Sequence, residues 1–149
     1  MACLSPWADL SCAGVGYETR ATTDPITNGD NIAQIAKLYL AGADPKTPLA
    51  SPVFADLAGL PPMLIQVGSD EVLLGDSLLL EARAHRCGVA ATLEVWAGMV
   101  HVWQAFYPML SEGRDAIDGI ARFFDKRWSA GAAHDSRNPQ PRPPSNHRS

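Results

Sequence analysis

The chain has little cysteine, no long apolar run and no excess of positive charge. Among its 149 residues the cysteines are Cys3, Cys12 and Cys87, an odd number without the close spacing of a zinc site. Neither a disulfide framework nor a structural metal is indicated, and a reducing, cytoplasmic setting is expected. No apolar stretch approaches the roughly 18 residues of a membrane span, and the N-terminus shows neither a basic leader nor a long apolar segment behind it. The net charge is −4, from 12 Lys and Arg against 16 Asp and Glu. An acidic body of this kind argues against nucleic acid or an anionic membrane surface as its main partner. There is no internal repeat.

What is present is an alternation of strand and helix. Residues 2–7 read as the end of a buried strand that runs out at Pro6. Residues 9–30 are a polar connection, in which Asp9, Asp24 and Asp44 beyond it are expected to cap turns. Ile32, Ile35, Ala36, Tyr39 and Leu40 then recur at helical spacing, with Asp30 as N-cap and Gly42 as the stop. Residues 42–62 carry Pro45, Pro48, Pro52, Pro61 and Pro62, which exclude regular helix. A second strand is expected over 63–67 and a third over 92–96. Between them Leu74, Leu78, Leu79, Ala82 and Cys87 describe an amphipathic helix ended by Gly88. A last helix over 112–128 places Ala116, Ile117, Ile120, Phe123, Phe124 and Trp128 on one stripe. The pattern predicts an α/β domain over 1–128 with about three parallel strands and crossover helices. Residues 129–149 are rich in proline and polar residues and are expected to form a disordered tail. Without that tail the charge becomes −6, from 9 basic and 15 acidic residues.

Two strands run into polar residues, Asp70 after 63–67 and His101 after 92–96. One helix-length segment separates them, so both exits fall on the same edge of a right-handed parallel unit, where open α/β sheets place their sites. Asp70 and His101 are therefore expected to meet, the acid orienting the imidazole of a charge-relay hydrolase. The plainer readings are that Asp70 caps the next helix and His101 is a hydrogen-bonded core residue. Gly98 allows a tight turn before His101. Glu71 is expected to face solvent. Trp103, Phe106, Tyr107 and Met109 are candidates for an acyl pocket, or plain core.

Several segments resemble one family: Leu-Ser-Pro-Trp-Ala-Asp-Leu at 4–10, Tyr-Leu-Ala-Gly-Ala-Asp-Pro at 39–45, and Pro-Leu-Ala-Ser-Pro-Val-Phe-Ala-Asp-Leu at 48–57. With Gly-Leu-Pro-Pro-Met-Leu-Ile-Gln-Val-Gly-Ser-Asp-Glu-Val-Leu at 59–73 and Trp-Ala-Gly-Met-Val-His-Val-Trp-Gln at 96–104, they look like the second half of an α/β-hydrolase of the hormone-sensitive-lipase type. The resemblance covers about residues 3–127. It implies a carboxylic ester hydrolase with Asp70 as the triad acid and His101 as the base, no metal or organic cofactor, a small-molecule ester as substrate, and residues 7–50 as part of a cap.

The family's nucleophile elbow, G-x-S-x-G, and its His-Gly-Gly oxyanion loop do not occur here. The expectation is therefore a hydrolase cut in half, close to inactive alone, with an open sheet edge prone to self-association. A non-catalytic interaction module is the alternative. A lesser one is suggested by Gly75-Asp76-Ser77-Leu78, which resembles the nucleophile block of GDSL esterases and would make Ser77 the nucleophile. That block belongs after the first strand of its own fold, and the preferred reading puts Ser77 in the first helical turn, capped by Asp76 or Gly75.

Overall fold

The computed structural model describes residues 1–14, 16–19, 24–27 and 29–135. Its centre is the strand Met63–Gly68 (β2), an apolar, partly β-branched run in which every residue is buried. Such a strand needs cover on both faces and a neighbour on both sides. Ala2–Leu4 (β1) and Ala91–Trp96 (β3) supply the neighbours, both parallel, in the order β1-β2-β3. The fold class read from the alternation of elements is thus the one observed. β1 is shorter and more exposed than expected, with Leu4 39% accessible.

The connection from β1 to β2 carries a short helix, Gly16–Thr19 (α1), a longer one, Gly29–Leu40 (α2), and a 3₁₀ turn, Pro52–Phe54. α2 begins at Gly29, so Asp30 lies within its first turn and not at the cap. Ile32 and Ala36 are buried, whereas Ile35 and Tyr39 of the expected stripe are 53% and 69% exposed. Asp9, Asp24 and Asp44 cap turns as expected, accepting from the N–H of Ser11, Ile26 and Lys46 at 2.9, 3.0 and 2.9 Å.

The crossover helix Leu74–Arg86 (α3) stops at Cys87, followed by Gly88 at φ +73. Its buried face is not the expected one. Asp76, Ser77, Leu80 and Ala84 face inward, while Leu78 and Leu79 are 48% and 45% exposed. Leu80 and Ala84 join Met63, Ile65, Val53 and Leu57 in the core on this side of the sheet.

The other face of β2 meets Ser111–Asp135 (α4). Gln66, fully buried there, has its amide satisfied: its Nε2 donates to Glu94 Oε2 and the Ala116 carbonyl, and its Oε1 accepts from Gln104. α4 continues to Asp135, past Trp128 where a tail was expected to begin. Ala130, Ala132 and Ala133 are strong helix formers, which the polar composition of that stretch obscures. The rest of the expected tail, 136–149, lies outside the described residues. Ala116 is buried on α4, but Ile117, Phe124 and Trp128 are 38%, 46% and 82% exposed.

Candidate active site

Both strand exits lie on one edge of the sheet, and the turns that follow them touch. The Asp70 N–H donates to the Met99 carbonyl at 3.2 Å, and the Gly98 N–H donates to Ser69 Oγ at 2.8 Å. Gly98, at φ +70, makes the turn after β3 that a side chain would strain. Gly68 is needed for a different reason, since a Cβ there would sit 2.0 Å from the Met99 carbonyl oxygen.

The carboxylate that reaches His101 belongs to Glu71. Its Oε2 lies 3.2 Å from His101 Nδ1, and the side chain is wholly buried, so the expectation that it faces solvent is overturned. Asp70 does not meet the imidazole; its Oδ1 accepts from the Ser69 hydroxyl at 2.8 Å. The reason is local. The Asp70 N–H is tied to Met99 and its carboxylate to Ser69, while the next residue folds back over the strand end. There Glu71 Oε1 accepts from the Gly68 N–H at 2.6 Å and from Ser5 Oγ at 2.7 Å. A buried carboxylate with three partners is satisfied where an unpaired one would be strongly disfavoured.

His101 is half-buried and forms one wall of a cavity of about 260 Å³, whose other walls include Trp7, Ile26, Ile32, Ile35 and Leu73. A mostly apolar hollow with Thr27, Asn31 and the imidazole as its polar lining suits a small, mostly apolar ligand. None of the expected aromatic candidates lines it. Trp103 is buried and packs against Trp96 with ring centroids 5.6 Å apart, and Phe106, Tyr107 and Met109 are 39%, 52% and 81% exposed.

Ser77 is fully buried and its hydroxyl has no hydrogen-bond partner, so it is not presented to a substrate. Nor is it capped by Asp76 or Gly75, because the N-cap of α3 is Leu73, without a side-chain cap. Asp76 instead points at the loop after β1. Its Oδ2 accepts from the N–H groups of Ala8 and Asp9 at 2.9 and 2.8 Å, and the Tyr17 hydroxyl donates to the same carboxylate at 3.0 Å. Burial pushes the Asp76 carboxyl up to about 6, against the opposing pull of these hydrogen bonds. Burial also raises the Cys3 and Cys12 thiols, and for Cys12 the Asp76 charge adds to it, which makes both poor nucleophiles near neutral pH. Among the described residues no three His, Cys, Asp or Glu side chains gather as a metal site would require, and no helix is long and apolar enough to cross a membrane.

Residues 1–105 match the family model described as alpha/beta hydrolase fold. An acetyl-hydrolase of Streptomyces hygroscopicus is 48% identical over 121 residues, which are 81% of this chain and 40% of that protein. An esterase of Acinetobacter venetianus is 33% identical over 121 residues, 80% of this chain and 40% of its own length. Among solved structures, EstE5 soaked with p-nitrophenyl butyrate superposes with a TM-score of 0.81 at 52% identity, over 86% of this chain and 43% of that one. A hormone-sensitive lipase from a metagenome library gives 0.82 at 39% identity, over 85% and 43%. The chain thus spans about two fifths of the length of the relatives it matches. The matched residues run through both turns that carry Glu71 and His101, and the chain belongs to the alpha/beta hydrolase fold family, in its hormone-sensitive-lipase type.

Proposed function

We propose that this chain supplies the acid and the base of a serine carboxylic ester hydrolase, with His101 as general base and Glu71, in place of Asp70, as the acid. The observation that carries the reading is the buried Glu71–His101 pair at the edge of an apolar cavity. The nucleophilic serine and the oxyanion donors come from polypeptide beyond these 149 residues, whether joined to them or separate. That serine attacks the ester carbonyl, and His101 takes its proton and returns it to the leaving alcohol. Water then releases the acyl group by the same route in reverse. Glu71 fixes the tautomer that carries the proton on Nδ1 and stabilises the imidazolium. Residues 7–50 act as part of the cap, through the cavity walls at Trp7, Ile26, Ile32 and Ile35. Their side chains set how long an acyl or alkyl group fits.

The test is hydrolysis of p-nitrophenyl acetate and butyrate by the 149-residue chain alone and mixed with the N-terminal portion of the Streptomyces hygroscopicus acetyl-hydrolase. The chain alone is expected to stay at background. In the mixture, turnover is expected to fall by about three to four orders of magnitude in His101→Ala and Glu71→Ala and to survive Asp70→Asn. Loss in Asp70→Asn with retention in Glu71→Ala would return the acid to Asp70. Activity of the chain alone that disappears in both Ser77→Ala and His101→Ala would overturn the reading altogether.

A second reading, a non-catalytic interaction module, is favoured by Leu4, Leu79, Ile117, Phe124 and Trp128, which remain exposed on β1, α3 and α4. It predicts association without turnover in the same mixture.

A further inference from the structure

Ser5 stands where the chain leaves β1, and its contacts are unusual for a strand-end serine. Its N–H continues the ladder by donating to the Gln66 carbonyl at 2.8 Å, and its side chain is buried. The hydroxyl donates to Glu71 Oε1 at 2.7 Å and accepts from the Val102 N–H at 3.0 Å. One oxygen therefore bridges the turn after β2, which carries the acid, and the residue that follows the base in the turn after β3. No hydroxyl proton is left over: it is committed to a carboxylate, which makes a short charge-assisted bond.

The imidazole is held in place as a result. A carboxylate with one free oxygen can rotate, whereas Glu71 has Oε1 pinned by the Ser5 hydroxyl and the Gly68 N–H, which leaves Oε2 facing His101 Nδ1. The bond to Val102 fixes the backbone beside that ring. We propose that Ser5 is a positioning residue of the acid–base pair, holding the carboxylate and the imidazole of Glu71 and His101 in mutual register from a third strand. The proposal rests on the reading that Glu71 and His101 act as that pair.

A serine that merely fills space at a strand end predicts something different, and its backbone separates the two. Ser5 sits at φ +44, where glycine is favoured. Ser5→Gly relieves the backbone while deleting the hydroxyl, and Ser5→Ala deletes the hydroxyl while keeping the strain. The readout is the His101 Nδ1 proton in the ¹⁵N-labelled 149-residue chain, assigned by its disappearance in His101→Gln, with its exchange against water measured by NMR. It does not depend on any turnover.

In the unaltered chain the proton is expected to be protected, and in Glu71→Ala the protection is expected to vanish. In both serine variants exchange is expected to accelerate by about tenfold, the factor that corresponds to one net hydrogen bond. Backbone amides of β2 and β3 should keep their protection. Acceleration below threefold in a folded serine variant, with protection still lost in Glu71→Ala, would overturn the role of Ser5 and leave the pair standing. A proton indifferent to Glu71→Ala would overturn the pair itself. Unfolding of both serine variants would make Ser5 a purely structural residue and would equally overturn the proposal.

Discussion

Mild acidification is expected to stabilise this chain through Asp76, the reverse of what a hydrogen-bonded carboxylate usually does. A carboxylate that accepts two backbone N–H groups and a tyrosine hydroxyl would ordinarily be most stable ionised, yet burial wins and the folded carboxyl lies at about 6 against an ordinary value of 3.8. A group whose proton is held more tightly in the folded chain adds stability that is complete below the unfolded value and is lost as pH rises through the folded one. The full difference is about 3 kcal/mol, since each tenfold gain in proton affinity is worth roughly 1.4 kcal/mol. Acidification from pH 8 to pH 5 recovers about 1.4 kcal/mol of it, because the unfolded carboxyl barely titrates in that window. Asp76 is 1% exposed, so solvent screening takes little from this figure. Asp76→Asn removes this contribution alone. The Asn oxygen can accept from Ala8 and Asp9, while its NH₂ donates to the Tyr17 oxygen and the Tyr17 hydroxyl turns to the Asp9 carbonyl 3.2 Å away. Urea unfolding at pH 5 and pH 8 is expected to show a pH-dependent gain about 1.4 kcal/mol larger in the unaltered chain than in Asp76→Asn. Asp76→Ala, which leaves two buried N–H groups unpaired, is expected to lose about 2–5 kcal/mol at either pH. Parallel pH profiles for the unaltered chain and Asp76→Asn would rule out a raised Asp76 carboxyl. A profile of opposite sign would mean that the hydrogen bonds outweigh desolvation.

Two exchanges involving glycine probe the edge that carries the site. Gly68→Ala forces a methyl to within 2.0 Å of the Met99 carbonyl, so the turns after β2 and β3 must separate. A loss of about 3 kcal/mol or more in urea unfolding is expected, together with loss of the Asp70 N–H protection from exchange. Val102→Gly acts in the other direction: Val102 is a β-branched residue at φ 47, and relief of that conformation is expected to raise stability by up to about 1 kcal/mol in the same assay. A destabilised Val102→Gly would mean that the valine side chain contributes packing that outweighs its backbone.

The sheet was legible because β2 states its own environment: six residues buried on every side can be written only as a nearly unbroken apolar run. The stop at Gly88 and the turn at Gly98 were legible for the equally local reason that a positive φ favours glycine. The face of α3 was not, because apolar periodicity selects Leu78 and Leu79 and has no way to register that a loop from β1 offers two N–H groups to a buried carboxylate. The same limit separates the two acids. Strand topology brings the exit of β2 to the exit of β3, but which of Asp70 and Glu71 turns inward is bound up with contacts between residues far apart in sequence, the Asp70 N–H on Met99 and the Ser5 hydroxyl on Glu71 among them. Two adjacent carboxylates were the available signal, and the longer one reaches back.

Part of the backbone strain in this chain sits at this pair. Among the described residues four non-glycine residues have positive φ, and two of them, Ser5 and Val102, are bonded to each other across the site. Each such conformation costs about 1–2 kcal/mol. Ser5 is over-determined by the ladder bond to Gln66 and by the bond to a carboxylate, the latter alone of the order of 1.5–3 kcal/mol. Val102 is caught differently. Gly98 has already turned the chain at no steric cost, and within one further residue of His101 the backbone must enter the 3₁₀ turn Trp103–Phe106 that buries Trp103 completely. Burial of that indole, worth about 3–5 kcal/mol, exceeds the strain at Val102, so the left-handed conformation is tolerated where Trp103 is seated inside and His101 at the cavity from nearby positions. An imidazole bonded to a buried glutamate, on a backbone committed to burying Trp103 two residues later, has little freedom to turn, which is the condition that general-base chemistry would ask of it.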